Sequence, residues 1–134
     1  MSRSGYEDDT EQWQYIMYRG AVKSAIKGKR GQAFLKELLA ALDAMEVKEL
    51  IPGKFESEGR FCMLGVIGNA RGIDTSNIDP EDSETIAGKF DVANSLAREI
   101  VYMNDEYGFF GETCSQRWAK ARGWAASQIV GRLG

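Results

Sequence analysis

Phe34-Leu35-Lys36-Glu37-Leu38-Leu39-Ala40-Ala41-Leu42-Asp43-Ala44-Met45 is the stretch that decides the fold class. At about 100° per residue, Phe34, Leu35, Leu38, Leu39, Leu42 and Met45 fall within roughly 140° of a helical wheel, while Lys36, Asp43 and Ala44 lie outside that arc. The segment therefore reads as an amphipathic helix whose leucine face is the centre of a core.

Towards the N-terminus, a first helix starts at Thr10. Trp13, Met17, Ala21 and Ala25 recur every four residues, and Val22 and Ile26 widen the buried face until Gly28-Lys29-Arg30-Gly31 stops it. So short a connection predicts a helical hairpin. Residues 1–9 are small, polar and acidic, an arm whose order depends on docking.

Towards the C-terminus, Pro52-Gly53 marks a turn, and a short β-hairpin fits within residues 53–62. Residues 61–71 read as a helix in which Gly65 and Gly68 let another backbone approach, and Gly72 ends it. The next helix has Asp79 as N-cap and Pro80 in first position, and it ends near Phe90. Asp91 caps the following one, with Leu96, Ile100 and Met103 as its apolar stripe and Asn104-Asp105 at its end. After the loop at Gly108 and Gly111, Thr113-Cys114-Ser115-Gln116 forms a capping box. The last helix carries Trp118, Ala121, Ala125, Ile129 and Leu133 on one face. The expectation is an all-α fold of about six helices, with residues 10–134 as a single helical domain and no internal repeat.

Composition agrees with this reading. A chain of 134 residues is long enough to bury roughly two thirds of its unfolded surface, and 43% hydrophobic with 28% charged residues sits near the globular average. The longest apolar runs, such as residues 61–67, are too short to span a bilayer, and the polar, acidic start is unlike a signal peptide, so a cytoplasmic protein is expected. Cys62 and Cys114 lack CxxC spacing and read as buried free thiols. Histidine is absent, which removes the Ser-His and Cys-His nucleophile systems and the commonest metal ligand. No carboxylate pair stands out as an acid/base dyad, Asn104-Asp105-Glu106 lacks the spacing of a calcium loop, and there is no Walker or GxGxxG element. Gly31 near a helix start is only a generic anion site. We expect no enzyme activity, no cofactor and no metal.

Charge is segregated to a degree that the net −3 conceals, because residues 19–36 hold six basic residues and no acidic one. Arg19, Lys23 and Lys27, at i, i+4 and i+8, form a stripe that Lys29 and Arg30 extend into the loop. Like charges at that spacing cost a helix a few tenths of a kcal/mol per pair, so the stripe does not serve helix stability. Charge runs usually face water, here neutralised by the acidic stretches 7–11 and 74–84. The functional alternative is a contact surface for phosphates or for an acidic protein.

Residues 85–100 fit the spacing of a helix-turn-helix, with Ile86, Ala87, Phe90, Val92, Ala97 and Ile100 at the packing positions and Asn94, Ser95 and Arg98 projecting towards base edges. A simple corner between packed helices explains the same spacing. It is preferred, because Asp79, Glu81, Asp82, Glu84 and Glu99 would face a polyanion with the wrong sign. On the last helix Trp124 falls roughly 120° from the Trp118 stripe. It reads either as an exposed docking residue beside Arg117 and Lys120 or as packed under another element. Tyr107, Phe109 and Phe110 pose the same choice.

Gly59-Arg60-Phe61-Cys62-Met63-Leu64-Gly65-Val66-Ile67, followed some forty residues later by Tyr102-Met103-Asn104-Asp105, resembles a family of small bacteriophage-encoded proteins with an RFCCLGVL-like segment and a downstream MND-like segment. The match covers about residues 55–108 and departs from the pattern at Met63, where a second cysteine is common, and in the long Trp-rich final helix. Arg19-Gly20-Ala21-Val22 through Gly31-Gln32-Ala33-Phe34-Leu35 is also similar to phage proteins of this size. The family has no assigned activity, so the resemblance implies phage origin and carries over no catalytic residue.

The expected function is thus that of a non-catalytic phage accessory protein. It would inhibit a host protein or nucleoprotein machine, as anti-CRISPR and other anti-defence proteins do, and contact it through Arg19, Lys23, Lys27, Lys29 and Arg30, then through Arg117 and Trp124. The alternative is a helix-turn-helix DNA-binding regulator using Asn94, Ser95 and Arg98. Nucleic acid is a possible partner, a membrane is not expected, and monomer and homodimer both stay open.

Overall fold

The computed structural model describes Ser4, residues 12–108 and residues 111–131. In chain order it has α1 (Gln12–Lys27), α2 (Lys29–Ala44), β1 (Glu56–Ser57), β2 (Arg60–Phe61), α3 (Met63–Arg71), a 3-10 turn (Thr75–Asn77), α4 (Ser83–Phe90), α5 (Asn94–Asp105) and α6 (Cys114–Gln128). The fold is all-α, with six helices among the described residues and one two-stranded antiparallel hairpin. Glu56 pairs with Phe61 and Ser57 with Arg60. Glu58 and Gly59 both have positive φ, the turn whose twist matches a two-residue hairpin.

The leucine face of α2 is where the periodicity places it. Leu35, Leu38 and Leu42 are wholly buried, and Phe34 and Leu39 nearly so. Each such side chain contributes roughly 2 kcal/mol over an exposed position, which outweighs the glycines elsewhere in the core helices. α2 packs on α1, α3 and α6, and α5 packs on α1, α3, α4 and α6, so these two helices are the axes of the molecule. Phe55 and Phe90 stack between them and α3, with ring centroids 6.4 Å apart.

Gly28 alone separates α1 from α2, so Lys29 and Arg30 lie in the first turn of α2 and not in a loop. The tightness depends on Gly31, where a Cβ would fall 1.9 Å from the Ala25 carbonyl oxygen. Gln32 closes this corner: its amide donates to Ile26 O at 2.7 Å and Gln128 O at 3.0 Å, and its oxygen accepts the Val130 N–H at 2.8 Å. It thereby serves carbonyls near the ends of both α1 and α6, groups that helices leave without internal partners.

Several boundaries differ from those expected. Phe61 belongs to β2, and α3 begins at Met63 because Cys62 acts as N-cap, its sulfur accepting the Gly65 N–H at 3.4 Å. Asp79 spends its carboxylate on a local turn to Glu81 N at 2.9 Å, so the N-cap of α4 is Asp82, bonded to Thr85 N at 3.2 Å and Thr85 Oγ1 at 2.7 Å. Asp91 ends α4 in the left-handed conformation, φ 57°, which Asp tolerates better than most residues. It does not open α5, whose N-cap is Ala93. Thr113 and Gln116 form the expected capping box. α6 ends at Gln128 with Ile129 as C-cap, short of the expected extension; Leu133 lies outside the described residues. So do Thr10 and, apart from Ser4, the arm expected over residues 1–9.

The face of α1 is the largest correction. Val22 and Ile26 are buried, with Tyr18 and Ala25 packed beside them. Trp13 and Met17, expected to share that face, are 58% and 67% exposed, and Ile16 is 60% exposed. α1 carries apolar residues on both sides, and α2 and α5 cover the one centred on Val22.

Candidate functional site

Side-chain pairing engages the described arginines and some lysines, Lys48 and Lys120 among them, but not the lysines of the α1–α2 corner. Every described arginine is engaged. Arg19 makes a two-pronged ion pair with Glu99, Nη1–Oε1 2.7 Å and Nη2–Oε2 2.9 Å, and the Glu99 side chain is only 4% exposed. Arg30 reaches Asp91 at 3.3 Å, Arg60 meets Glu49, Arg122 meets Asp43, and Arg71 grips Glu37 at 2.6 and 2.9 Å while donating to Phe90 O. Hydrogen bonding from Arg71, ahead of its charge, holds the Glu37 carboxyl below the usual carboxylate range against partial burial, and the same contact raises Arg71. A guanidinium's planar fork suits this stapling better than an ammonium does.

Lys23, Lys27 and Lys29 are different. All three are exposed at the α1–α2 corner, and no carboxylate among the described residues lies within ion-pair distance of them. The acidic stretch 74–84 does not neutralise them, and residues 7–11 lie outside the described residues. Of the five expected stripe members, Arg19 is held by a buried partner, Arg30 makes an exposed pair with Asp91, and the three lysines carry no ion pair among the described residues. Beside them Gly28 caps α2 without a side-chain hydrogen bond, and no acid sits in the first turn, so nothing there offsets the positive end of the helix dipole.

The second expected contact is not assembled. Arg117 is 8% exposed, donates to Asn104 O at 2.8 Å and lies 3.4 Å from Glu112, to which Lys120 also binds at 3.0 Å. Trp124 is half-buried against the core instead of exposed. Of the loop aromatics, Tyr107 is 53% exposed and tilted on Tyr102, while Phe109 and Phe110 lie outside the described residues.

The helix-turn-helix positions pack as a corner. Ile86, Ala87, Phe90, Val92, Ala97 and Ile100 are buried, but α5 is enclosed by four helices and has no free face to enter a groove. Asn94 is exposed. Ser95 Oγ reaches Ala21 O at 3.4 Å, and Arg98 lies 4.8 Å over the Tyr18 ring while donating to Ser4 O at 2.7 Å. Both therefore face α1. Among the described residues, no three Cys, Asp or Glu side chains converge as metal ligands, and no helix is long and apolar enough to cross a membrane. Cys62 and Cys114 are both free; Cys62 is buried and Cys114 only partly so.

No family model matches this chain, and no curated protein or solved structure is significantly similar to it. The surface itself is what bears on function. Its apolar part, Trp13, Ile16 and Met17, escaped the sequence reading because a four-residue repeat says which residues share a face but not which way the face turns. The signal for the lysines was their type: a long chain ending in a compact, strongly hydrated charge suits an open surface.

Proposed function

We propose that this protein is a phage accessory factor that binds and inhibits a host protein or nucleoprotein machine of the defence type, CRISPR complexes included. It acts without catalysis, in the host cytoplasm. One observation carries the reading: at the α1–α2 corner Lys23, Lys27 and Lys29 remain unneutralised in a molecule whose described arginines are all engaged. Clustered like charge costs stability, so its persistence favours a use outside the fold. Phage origin draws support from the resemblance of residues 55–108 to small phage proteins.

The partner surface that fits is acidic, or is one that normally holds nucleic acid and is blocked by this protein. The regulator reading draws little support, since Ser95 and Arg98 face α1. The test is capture of host complexes from lysate by the tagged protein, with and without nuclease, compared with a K23E/K27E/K29E variant. Nuclease-resistant capture of a defence or nucleic-acid-processing complex that the variant loses is the expected result. Capture unaffected by the triple reversal, or capture that disappears with nuclease, would overturn the proposal.

A further inference from the structure

Asp91 stands where a different residue would serve α4 better. It ends the helix in the left-handed conformation, φ 57° and ψ 53°, which glycine, and after it asparagine, suits best. Its carboxylate also sits at the negative end of the α4 dipole, the wrong end for an acid. The side chain is exposed, and what it touches is Arg30, next to Lys29 in the first turn of α2, through a single contact from Nη1 to Oδ1 at 3.3 Å. Arg71, the other guanidinium on this side, is already held by Glu37 at 2.6 and 2.9 Å; that hydrogen bond raises its pKa more than the charge of Asp91 does.

The Arg30–Asp91 contact differs from the other arginine pairs. Arg19 and Arg71 each grip a carboxylate with two nitrogens, at 2.6 to 2.9 Å. Arg30 uses one nitrogen, and its side chain and that of Asp91 are 58% and 80% exposed, the most open ion pair among the described residues. An exposed, one-pronged pair contributes little to stability and is readily given up to a better anion. A carboxylate arriving with both oxygens satisfies Arg30 better, because two parallel N–H bonds to a charged group are stronger than one.

We propose that Asp91 is a built-in competitor for Arg30, occupying its guanidinium until a carboxylate-rich surface of a partner protein displaces it and Arg30 joins Lys27 and Lys29 in the contact. This rests on the reading of the corner lysines as a partner surface and adds a regulation to it. The free protein masks one cation of the corner, and only a partner that outcompetes Asp91 gains it. Charge points to a protein and not to nucleic acid. Glu81, Asp82 and Glu84 are exposed at the start of the helix that Asp91 ends, about 12 Å away at 1.5 Å per residue. A strand running past Asp91 along α4 meets them with the wrong sign, whereas a compact acidic patch fits the corner without reaching them.

Fluorescence anisotropy of a labelled decaglutamate peptide, titrated with the full chain at low ionic strength, tests this, with a labelled single-stranded oligonucleotide of equal length as the second probe. Asp91→Asn is expected to bind the peptide about three- to fivefold more tightly than the parent, a range set by the small worth of an exposed pair. Its melting temperature should not fall, because asparagine suits the left-handed position. In an Arg30→Ala background the same substitution is expected to change binding by less than about twofold. Equal affinity of Asp91→Asn and the parent overturns the proposal, as does a gain that persists without Arg30, since Asp91 would then act only through its field. Tighter binding of the oligonucleotide than of the peptide by Asp91→Asn overturns the choice of partner. K23E/K27E/K29E separates the competitor from the reading beneath it. Peptide binding unchanged by that reversal defeats the lysine surface and the competitor with it, whereas binding that the reversal abolishes but Asp91→Asn leaves alone defeats the competitor only.

Discussion

Asn104 and Met63 meet in the core: the Met63 N–H at the start of α3 donates to Asn104 Oδ1 at 3.1 Å, joining residues 41 apart in the chain. The rest of Asn104 is equally committed. Its side-chain nitrogen donates to Ile51 O at 2.9 Å, and its backbone carbonyl accepts from Arg117 Nε at 2.8 Å. The two segments that carry the resemblance to small phage proteins are thus hydrogen-bonded to one another, and Asn104 is 1% exposed.

Asn104→Ala leaves a buried N–H at Met63 and a partly buried carbonyl at Ile51 without their partner. We expect a loss of about 2–3 kcal/mol in urea unfolding, since buried orphaned groups cost about 1–3 kcal/mol each. A change of only a few tenths of a kcal/mol would mean that water substitutes for the amide.

Arg19→Ala removes the guanidinium facing the buried Glu99 carboxylate. The expected destabilisation is about 2–4 kcal/mol, because removing one member of a buried ion pair leaves the other charge desolvated. Arg19→Lys is expected to fall between, as an ammonium cannot reproduce the two parallel bonds. Equal stability of the alanine variant and the parent would show that the pair is balanced by its desolvation cost.

Two glycines in helices separate packing from propensity. A Cβ at Gly65 would lie 1.9 Å from the Phe55 carbonyl oxygen, so Gly65→Ala is expected to cost about 3 kcal/mol. Gly123 in α6 has nothing within 4 Å, and Gly123→Ala is expected to stabilise by about 0.5–1 kcal/mol. Chemical denaturation of the two variants side by side checks the signs, and the same sign for both would contradict the packing described for α3.

Acid should weaken the α2–α3 contact. The Glu37 pKa is depressed in the folded protein by Arg71, so its contribution is complete above the unfolded-state pKa and is lost as pH falls through the folded one. Asp82, hydrogen-bonded to Thr85 at the start of α4, shifts in the same direction. Urea midpoints measured from about pH 5 to about pH 3 should fall, and less steeply in Glu37→Gln. Parallel pH profiles for parent and variant would remove Glu37 from the account.

Reading the sequence locates what local periodicity and turn chemistry control. The leucine face of α2, the helical hairpin it makes with α1, the hairpin near Gly59, the end of α5 at Asp105 and the capping box of α6 all follow from residues within a few positions of each other. Hydrogen bonds at helix ends were legible as residue types but not as assignments. Asp79, Asp82 and Asp91 are all good caps, and the choice among them depends on how the chain turns in space.

Amino-acid order alone determined that this chain makes amphipathic helices, that cationic residues crowd its α1–α2 corner and that the chemistry of histidine is closed to it. Tertiary structure decided which face of α1 is buried, which of Arg19, Lys23, Lys27, Lys29 and Arg30 lack a partner among the described residues, that Arg98 is engaged over Tyr18 and that Arg117 is buried. The physical reason is range. Helix formation is settled over a turn or two, whereas burial and ion pairing depend on neighbours such as Glu99, 80 residues from Arg19, that only packing brings within 3 Å.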